Sequence, residues 1–278
     1  MNLHVIDTGF FKLDGGAMFG VVPKVIWQKL NPADEDNLCK WAMRCLLVES
    51  DNRKILIDTG MGDKQSDKFF SYYKPEKTHK LVDSLSKVGV VPNEVTEVIL
   101  THLHFDHVGG AVSKDDEGNL FKTFPQATYI THEKQLDWAL NPNERERASF
   151  LKENILPLLD SIEFVKKGSS LADVITFLKV DGHTEAQILP LINTGKRKVL
   201  FVADLIPSVA HLPIPYVMGY DMFPMKTMKE KNEILQQALD ENWILFFEHD
   251  PLIEACNLKM TEKGIRADVT GKLSDFLN

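Results

Sequence analysis

The chain has 278 residues, is 44% hydrophobic and carries a formal net charge of −8. That length and apolar content suit one compact two-layer domain, or one domain with an insertion. The acidic balance argues against a nucleic-acid groove, which needs clustered Lys and Arg.

Cys39, Cys45 and Cys256 have no metal-type spacing and give no disulfide framework, so a reduced, cytoplasmic setting is the simpler expectation. The start, MNLHVIDTGFF, has no basic stretch followed by an apolar one, so no signal peptide is expected. Wholly apolar runs such as Trp243–Phe247 are too short to span a bilayer.

Leu3–Ile6 reads as a strand. In Leu13–Lys24, Gly15-Gly16 and Gly20 predict a tight hairpin turn rather than a helix. Met18 and Phe19 there suit core packing or an apolar loop over a substrate cleft. Asn31–Asn37 is a polar loop. Trp41–Glu49 and Lys54–Ile57 read as strands joined at Ser50-Asp51-Asn52, and Asp58 falls where the second one ends. Lys68–Val88 contains a helical stretch, with Leu81, Leu85 and Val88 on one face.

Val98–Gly110 reads VILTHLHFDHVGG. A short apolar strand end is followed by His102, His104, Asp106 and His107, then by Gly109-Gly110. Imidazole and carboxylate are ligands that Zn²⁺, Fe²⁺ or Mn²⁺ accept. In an extended segment His102 and His104 point the same way. Asp106 and His107 are neighbours and diverge, which suits two adjacent metals. The glycines let the backbone turn tightly behind the site.

Ser113–Asn119 is a charged surface turn and Ala127–Thr131 a strand. Glu133–Leu140 and Asn143–Leu159 read as helices interrupted by Pro142, a candidate insertion over about 133–160. Glu144, Arg145, Glu146 and Arg147 read as a solvated face. Val174–Val180 is a strand leading into Asp181-Gly182-His183-Thr184. Ile188–Ile192 and Val199–Ala203 form a hairpin through Asn193–Lys196, and the second strand ends on Asp204. Ile244–Phe247 ends likewise, on Glu248-His249-Asp250.

Pro207–Pro224 is apolar, aromatic and proline-rich, and is not a helix. Its His211 and Tyr220 are each either structural or placed at a substrate. Met225–Asp240 is an amphipathic helix burying Ile234, Leu235, Ala238 and Leu239, and the mostly polar tail after 251 has Val269 and Leu273 as weak anchors.

The pattern His-X-His-X-Asp-His resembles that of the metallo-β-lactamase-fold hydrolases. The resemblance spans most of the chain, because Gly182-His183-Thr184, Asp204 and His249 follow in the family's order. It departs at Glu185-Ala186-Gln187, where the family usually continues Pro-Gly. Within the superfamily the chain is most similar to the acyl-homoserine lactonase and methyl parathion hydrolase-like branch, which shares DGGAMFG-like segments. His132 fits no ligand position of the resemblance and reads as surface or structural.

The resemblance implies an α/β (α+β) fold, an αββα sandwich of two mixed sheets flanked by helices, as a single domain over 1–278. It implies one metal site of His102, His104 and His183, a second of Asp106, His107 and His249, Asp204 as the bridge, and Asp58 behind the site. Two divalent ions are expected; five imidazoles with two carboxylates suit Zn²⁺ best, with Fe, Co or Mn open. The implied activity is a dinuclear metal-dependent hydrolase whose bridging hydroxide opens an ester or lactone, as an N-acyl-homoserine lactonase does. Asp106 would move a proton, and His211 and Tyr220 are the further catalytic candidates. A phosphotriesterase ranks second, a β-lactamase third and a glyoxalase II-type thioesterase fourth. An iron-dependent redox protein of the same fold is the alternative from another class, and the full ligand set counts against a non-catalytic binding module. The expected partner is a small ester, lactone or phosphotriester, with no nucleic acid and no membrane. A homodimer stays open, because 209–223 suits an interface as well as a pocket lining.

Overall fold

A computed structural model of the chain describes residues 1–76, 80–166, 168 and 170–277. They divide into two compact units. The first comprises Met1–Gly9, Met43–Ala172 and Ala186–Ile188, and the second Phe10–Ala42, Asp173–Glu185 and Leu189–Asn278.

The first unit builds most of a six-stranded mixed sheet in the order Asn2–Asp14, Leu38–Ser50, Arg53–Ile57, Glu97–Ile99, Thr128–Thr131 and Ile162–Phe164. Arg53–Ile57 lies antiparallel to Leu38–Ser50, as the short turn at Asp51-Asn52 requires, and the next three pairings are parallel. Parallel strands are covered on both faces, which is why Val98 and Ile99 form an unbroken buried apolar run. Leu47, Leu56, Val98, Leu100, Val108, Phe124, Tyr129 and Leu158 share its core. The hairpin Val112–Lys114 with Leu120–Lys122 turns at the acidic loop, where Asp115 accepts hydrogen bonds from the backbone of Glu117 and Asn119.

The second unit builds most of a seven-stranded sheet in the order Gly264–Gly271, Ala255–Thr261, Ile244–Phe246, Lys198–Phe201, Gln187–Asn193, Ile175–Val180 and Ser170–Leu171. Its long helix, Pro224–Asp240, buries Ile234, Leu235 and Ala238, while Leu239 is only half-buried. Lys231 on the same helix is fully buried.

Each sheet contains a central parallel pair in matched register. Ile57 stands opposite Ile99 in one, and Phe201 opposite Phe246 in the other. Asp58 follows the first strand directly, and His102, Asp204 and His249 come three residues past the ends of theirs. The carboxyl ends of parallel strands are where open α/β sheets present reactive groups.

Several expectations need correction. Gly15–Phe19 is a short helix, because the Asp14 carboxylate accepts the Ala17 N–H at 2.7 Å and caps it. Gly15 is there for space: a Cβ would lie 2.3 Å from the Trp27 ring. Asn143–Leu159 is not one helix. Asn143 ties down the N–H groups of Arg145 and Glu146, and a helix runs only over Lys152–Ile155 before a tighter turn, Leu156–Ser161, that starts next to Pro157. The stretch 68–88 holds two helices, Asp67–Tyr73 and Leu81–Lys87, and its positions 77–79 lie outside the described residues. The tail forms two paired strands whose polar residues face out, with Leu273 buried and Val269 exposed.

Candidate functional site

In the first unit, His102, Asp106 and His107 follow the Glu97–Ile99 strand, with Asp106 and His107 in the turn of helix Phe105–Val108 and His104 at its N-cap. All four side chains are buried. The His102 and His107 ring centroids are 3.9 Å apart, and His102 and His104 are 4.6 Å apart. Such closeness is tolerable only when the imidazoles are held by partners that fix their protons.

Those partners are present. Asp58, in the left-handed region at φ 55°, accepts the Thr101 N–H at 2.8 Å and the Thr101 hydroxyl at 2.6 Å. Its Oδ2 also accepts from His107 Nδ1 at 3.1 Å. Because the Thr101 hydroxyl proton is spent on Asp58, its oxygen accepts from His102 Nδ1, 3.1 Å away. Glu146 accepts from His104 Nε2 at 2.9 Å. These bonds select tautomers whose lone pair sits on Nε2 of His102 and His107 and on Nδ1 of His104. Asp106 Oδ2 lies 3.7 Å from His107 Nε2.

Gly109 and Gly110 serve close approach rather than a left-handed turn, since Gly109 has φ −58°. A Cβ on Gly109 would lie 2.0 Å from the Met61 carbonyl oxygen, and one on Gly110 would lie 2.2 Å from that of Thr59. The loop 59–62 can therefore pack directly behind the ligand turn, where the Thr59 N–H and hydroxyl both donate to the His107 carbonyl at 2.8 Å.

Within the second unit, His183, Asp204 and His249 are buried. His249 Nδ1 donates to the Ala42 carbonyl at 2.8 Å, and His183 Nδ1 donates to Asp221 at 3.0 Å. Both tautomers again place the lone pair on Nε2. Each Nε2 faces a different oxygen of Asp204, at 3.0 Å for His249 and 3.1 Å for His183. A ring lone pair facing a carboxylate oxygen is repulsive unless a proton or a metal ion lies between them. Burial opposes charge on His183, yet Asp204 and Asp221 push its imidazole up to about 10. Two donors on one tetrahedral Zn²⁺ lie roughly 3 Å apart, given metal–ligand bonds of about 2.0–2.2 Å. The donor set of His183, His249 and Asp204 therefore fits divalent metal binding. Ala203 is in the left-handed region at φ 41°, a strained conformation next to the carboxylate it presents.

His211 is a packing residue by its geometry. It is fully buried, stacks on Phe19 with centroids 4.5 Å apart, donates from Nε2 to the Met18 carbonyl at 2.9 Å and accepts from the Ser208 hydroxyl at 2.8 Å. Burial pushes its imidazole down to about 3. Met18 and Phe19 are core for the same reason, Phe19 lying flat against Trp27 as well. Tyr220 is exposed, on the segment whose Gly219 N–H donates to the Ala17 carbonyl at 2.7 Å. His132 caps the helix Glu133–Leu140.

Glu146 is the clearest correction to the charge reading. It is only 3% exposed, and besides His104 it accepts from Trp138 Nε1 at 2.7 Å and Asn143 Nδ2 at 3.2 Å. Asp221 was not singled out from the sequence, and no spacing links it to His183. For Glu146 a signal existed: Asn143-X-X-Glu146 has capping-box spacing, which pins the glutamate to the turn.

The sequence pattern described as the metallo-beta-lactamase superfamily matches residues 44–249. An N-acyl homoserine lactonase of a Bacillus species is 27% identical over 235 residues, covering 80% of this chain and 85% of its own. A probable metal-dependent hydrolase of Staphylococcus aureus superposes with a TM-score of 0.89 at 25% identity, covering 97% of this chain and 95% of that one. AidC, a dizinc quorum-quenching lactonase, superposes with a TM-score of 0.80 at 22% identity, covering 98% of this chain and 95% of AidC. With its mixed sheets, flanking helices and buried His and Asp groups, this chain belongs to the metallo-β-lactamase superfamily and is a metallo-hydrolase of that fold.

Proposed function

We propose that the chain is a dinuclear metal-dependent lactonase or esterase acting on a small, partly apolar substrate of the N-acyl-homoserine lactone class. His102, His104 and His183 would hold one ion, Asp106, His107 and His249 the other, and Asp204 would bridge. The observation that carries the reading is that five buried imidazoles each have one ring nitrogen committed to an oxygen, which fixes the ligand nitrogen of every one. Within the second unit, His183 and His249 each face a different oxygen of Asp204, and within the first, Asp106 lies beside His107. Asp58 is read as support behind the ligands, since it already bonds both Thr101 and His107.

Bound divalent ions would supply Lewis acidity and a water deprotonated near neutral pH. The chain's part is to hold the ligand tautomers, to exclude water around buried donors, and to move a proton at Asp106. Zn²⁺ suits this donor set best. Of the catalytic candidates, Asp106 and Tyr220 stay in the proposal, whereas His211 acts through packing. The single-domain reading, with 133–160 as an insertion, belongs to the same proposal. There the insertion has a definite task, because Glu146 at its centre orients His104.

The N-acyl homoserine lactonase relative supports a lactone over a phosphotriester or β-lactam. The test is turnover of a panel containing an N-acyl-homoserine lactone, a phosphotriester and a β-lactam by metal-replete protein. Lactone turnover that vanishes in Asp204→Asn supports the proposal. Turnover of the phosphotriester alone would replace the lactone with that class, and undiminished turnover in Asp204→Asn would remove the bridging role.

A further inference from the structure

We propose that Lys231 is a positioning residue for His183, acting through a cage of main-chain carbonyls and through Asp221; this rests on the dinuclear reading above. Lysine is almost never fully buried without a partner. Lys231, in the helix Pro224–Asp240, is 0% exposed. Its three N–H groups go to three main-chain oxygens: His211 at 2.9 Å, Pro213 at 3.0 Å and Tyr216 at 2.8 Å. That is the full donor complement of an ammonium. Burial pushes the ammonium down to about 7, and the charge of Asp221 works against that fall.

The three carbonyls belong to a segment that needs an outside anchor. Pro213 and Pro215 supply no N–H, and its own bonds are short-range turns such as Tyr216 to Pro213 and Val217 to Pro215. One cation gathers carbonyls from three separate points of this segment. No neutral side chain replaces it, because a hydroxyl offers one donor and a carboxamide two.

From the cage the chain runs straight to the residue that orients His183. The Met218 N–H donates to Asp221 Oδ2 at 3.2 Å, and the Asp221 N–H returns to the Met218 carbonyl at 3.2 Å. The other oxygen, Oδ1, accepts from His183 Nδ1 at 3.0 Å. The next two N–H groups, of Met222 and Phe223, donate to the carbonyls of His183 and Gly182. On the opposite side Glu230 accepts the N–H groups of Asp181 and Gly182, both at 2.9 Å. Two successive residues of one helix, Glu230 and Lys231, thus hold the chain before His183 and the carboxylate behind it.

The test uses Lys231→Met, Asp221→Asn, the double variant and Lys231→Arg, with zinc content, zinc affinity by chelator competition, and denaturation by urea. Removing a group that orients a metal ligand typically weakens binding about 10–100-fold. Lys231→Met is expected to weaken one of two zinc ions by about that factor and leave the other bound. Asp221→Asn should weaken the same ion, and the double variant should lose no more than the larger single loss, because both act through one path. Lys231→Arg keeps the charge but replaces the three-way ammonium with a planar fork, and should weaken the same ion less. A loss of urea stability with both affinities unchanged would make Lys231 merely structural and overturn the proposal, as would additive losses in the double variant. If Lys231→Met does not fold, unchanged zinc affinity in Lys231→Arg overturns it instead. Wild-type protein that binds fewer than two ions would defeat the dinuclear reading itself, before any variant is compared.

Discussion

At the scale of single residues, the histidines of the first unit depend on carboxylates that never need to touch a metal. Asp58 sets the protons of His107 and, through Thr101, of His102, while Glu146 sets that of His104. Glu146→Gln would turn an amide donor either toward His104 Nε2 or toward both Trp138 Nε1 and Asn143 Nδ2. We expect a stability loss of about 1–3 kcal/mol in urea titration, the cost of a buried donor without an acceptor, and weaker metal binding. Wild-type stability and affinity would show that Glu146 is a bystander. His211 yields a prediction about pH. Its imidazole is neutral when folded, held down to about 3 by burial, against an ordinary value of 6.5. Between those values the unfolded chain binds a proton that the folded chain does not, so stability is lost as pH falls from 6.5 toward 3. Urea titrations of His211→Gln across that window should show a shallower slope than wild type, and turnover at pH 8 should be largely retained. An unchanged slope would mean that the ring takes up a proton inside the core.

At the scale of elements, the candidate site was legible where its proposed residues follow strand ends. The apolar runs before Asp58, His102, Asp204 and His249 all became strands, and the parallel pairing of two and two places their ends in register. The candidate ligand types were readable because His-X-His-X-Asp-His has few structural uses. What stayed hidden depends on partners distant in sequence. Asp221 meets His183 across 38 positions and Glu146 meets His104 across 42; the capping spacing of Asn143 and Glu146 marks a turn but not the histidine it reaches. The helix Gly15–Phe19 was hidden differently: two glycines argued for a turn, while the Asp14 cap and the space beneath the Trp27 ring decided for a helix. Gly109 gives the sharpest test at this scale. Its Cβ would strike the backbone at Met61, which cannot rotate away, so Gly109→Ala should cost about 3 kcal/mol or more and disturb metal binding. Calorimetry showing wild-type stability would mean that the loop 59–62 yields easily.

At the scale of the molecule, the proposed ligands run from His102 to His249. The family pattern runs from 44 to 249, from before the first ligand to the last. No described helix is long and apolar enough to cross a membrane. Buried imidazoles and carboxylates are costly without a cation, so bound metal should stabilise the folded chain by mass action, by about 4 kcal/mol when free metal is 1,000 times its Kd. Chelator should lower Tm by several degrees, and zinc should restore it. A Tm that ignores both treatments would mean that the donors are satisfied by protons alone. The central claim is that these seven residues hold two ions. Elemental analysis of protein purified from metal-replete cells tests it most directly: the account predicts two divalent ions per chain, falling in Asp204→Asn, and a chain that holds one ion or none would contradict it.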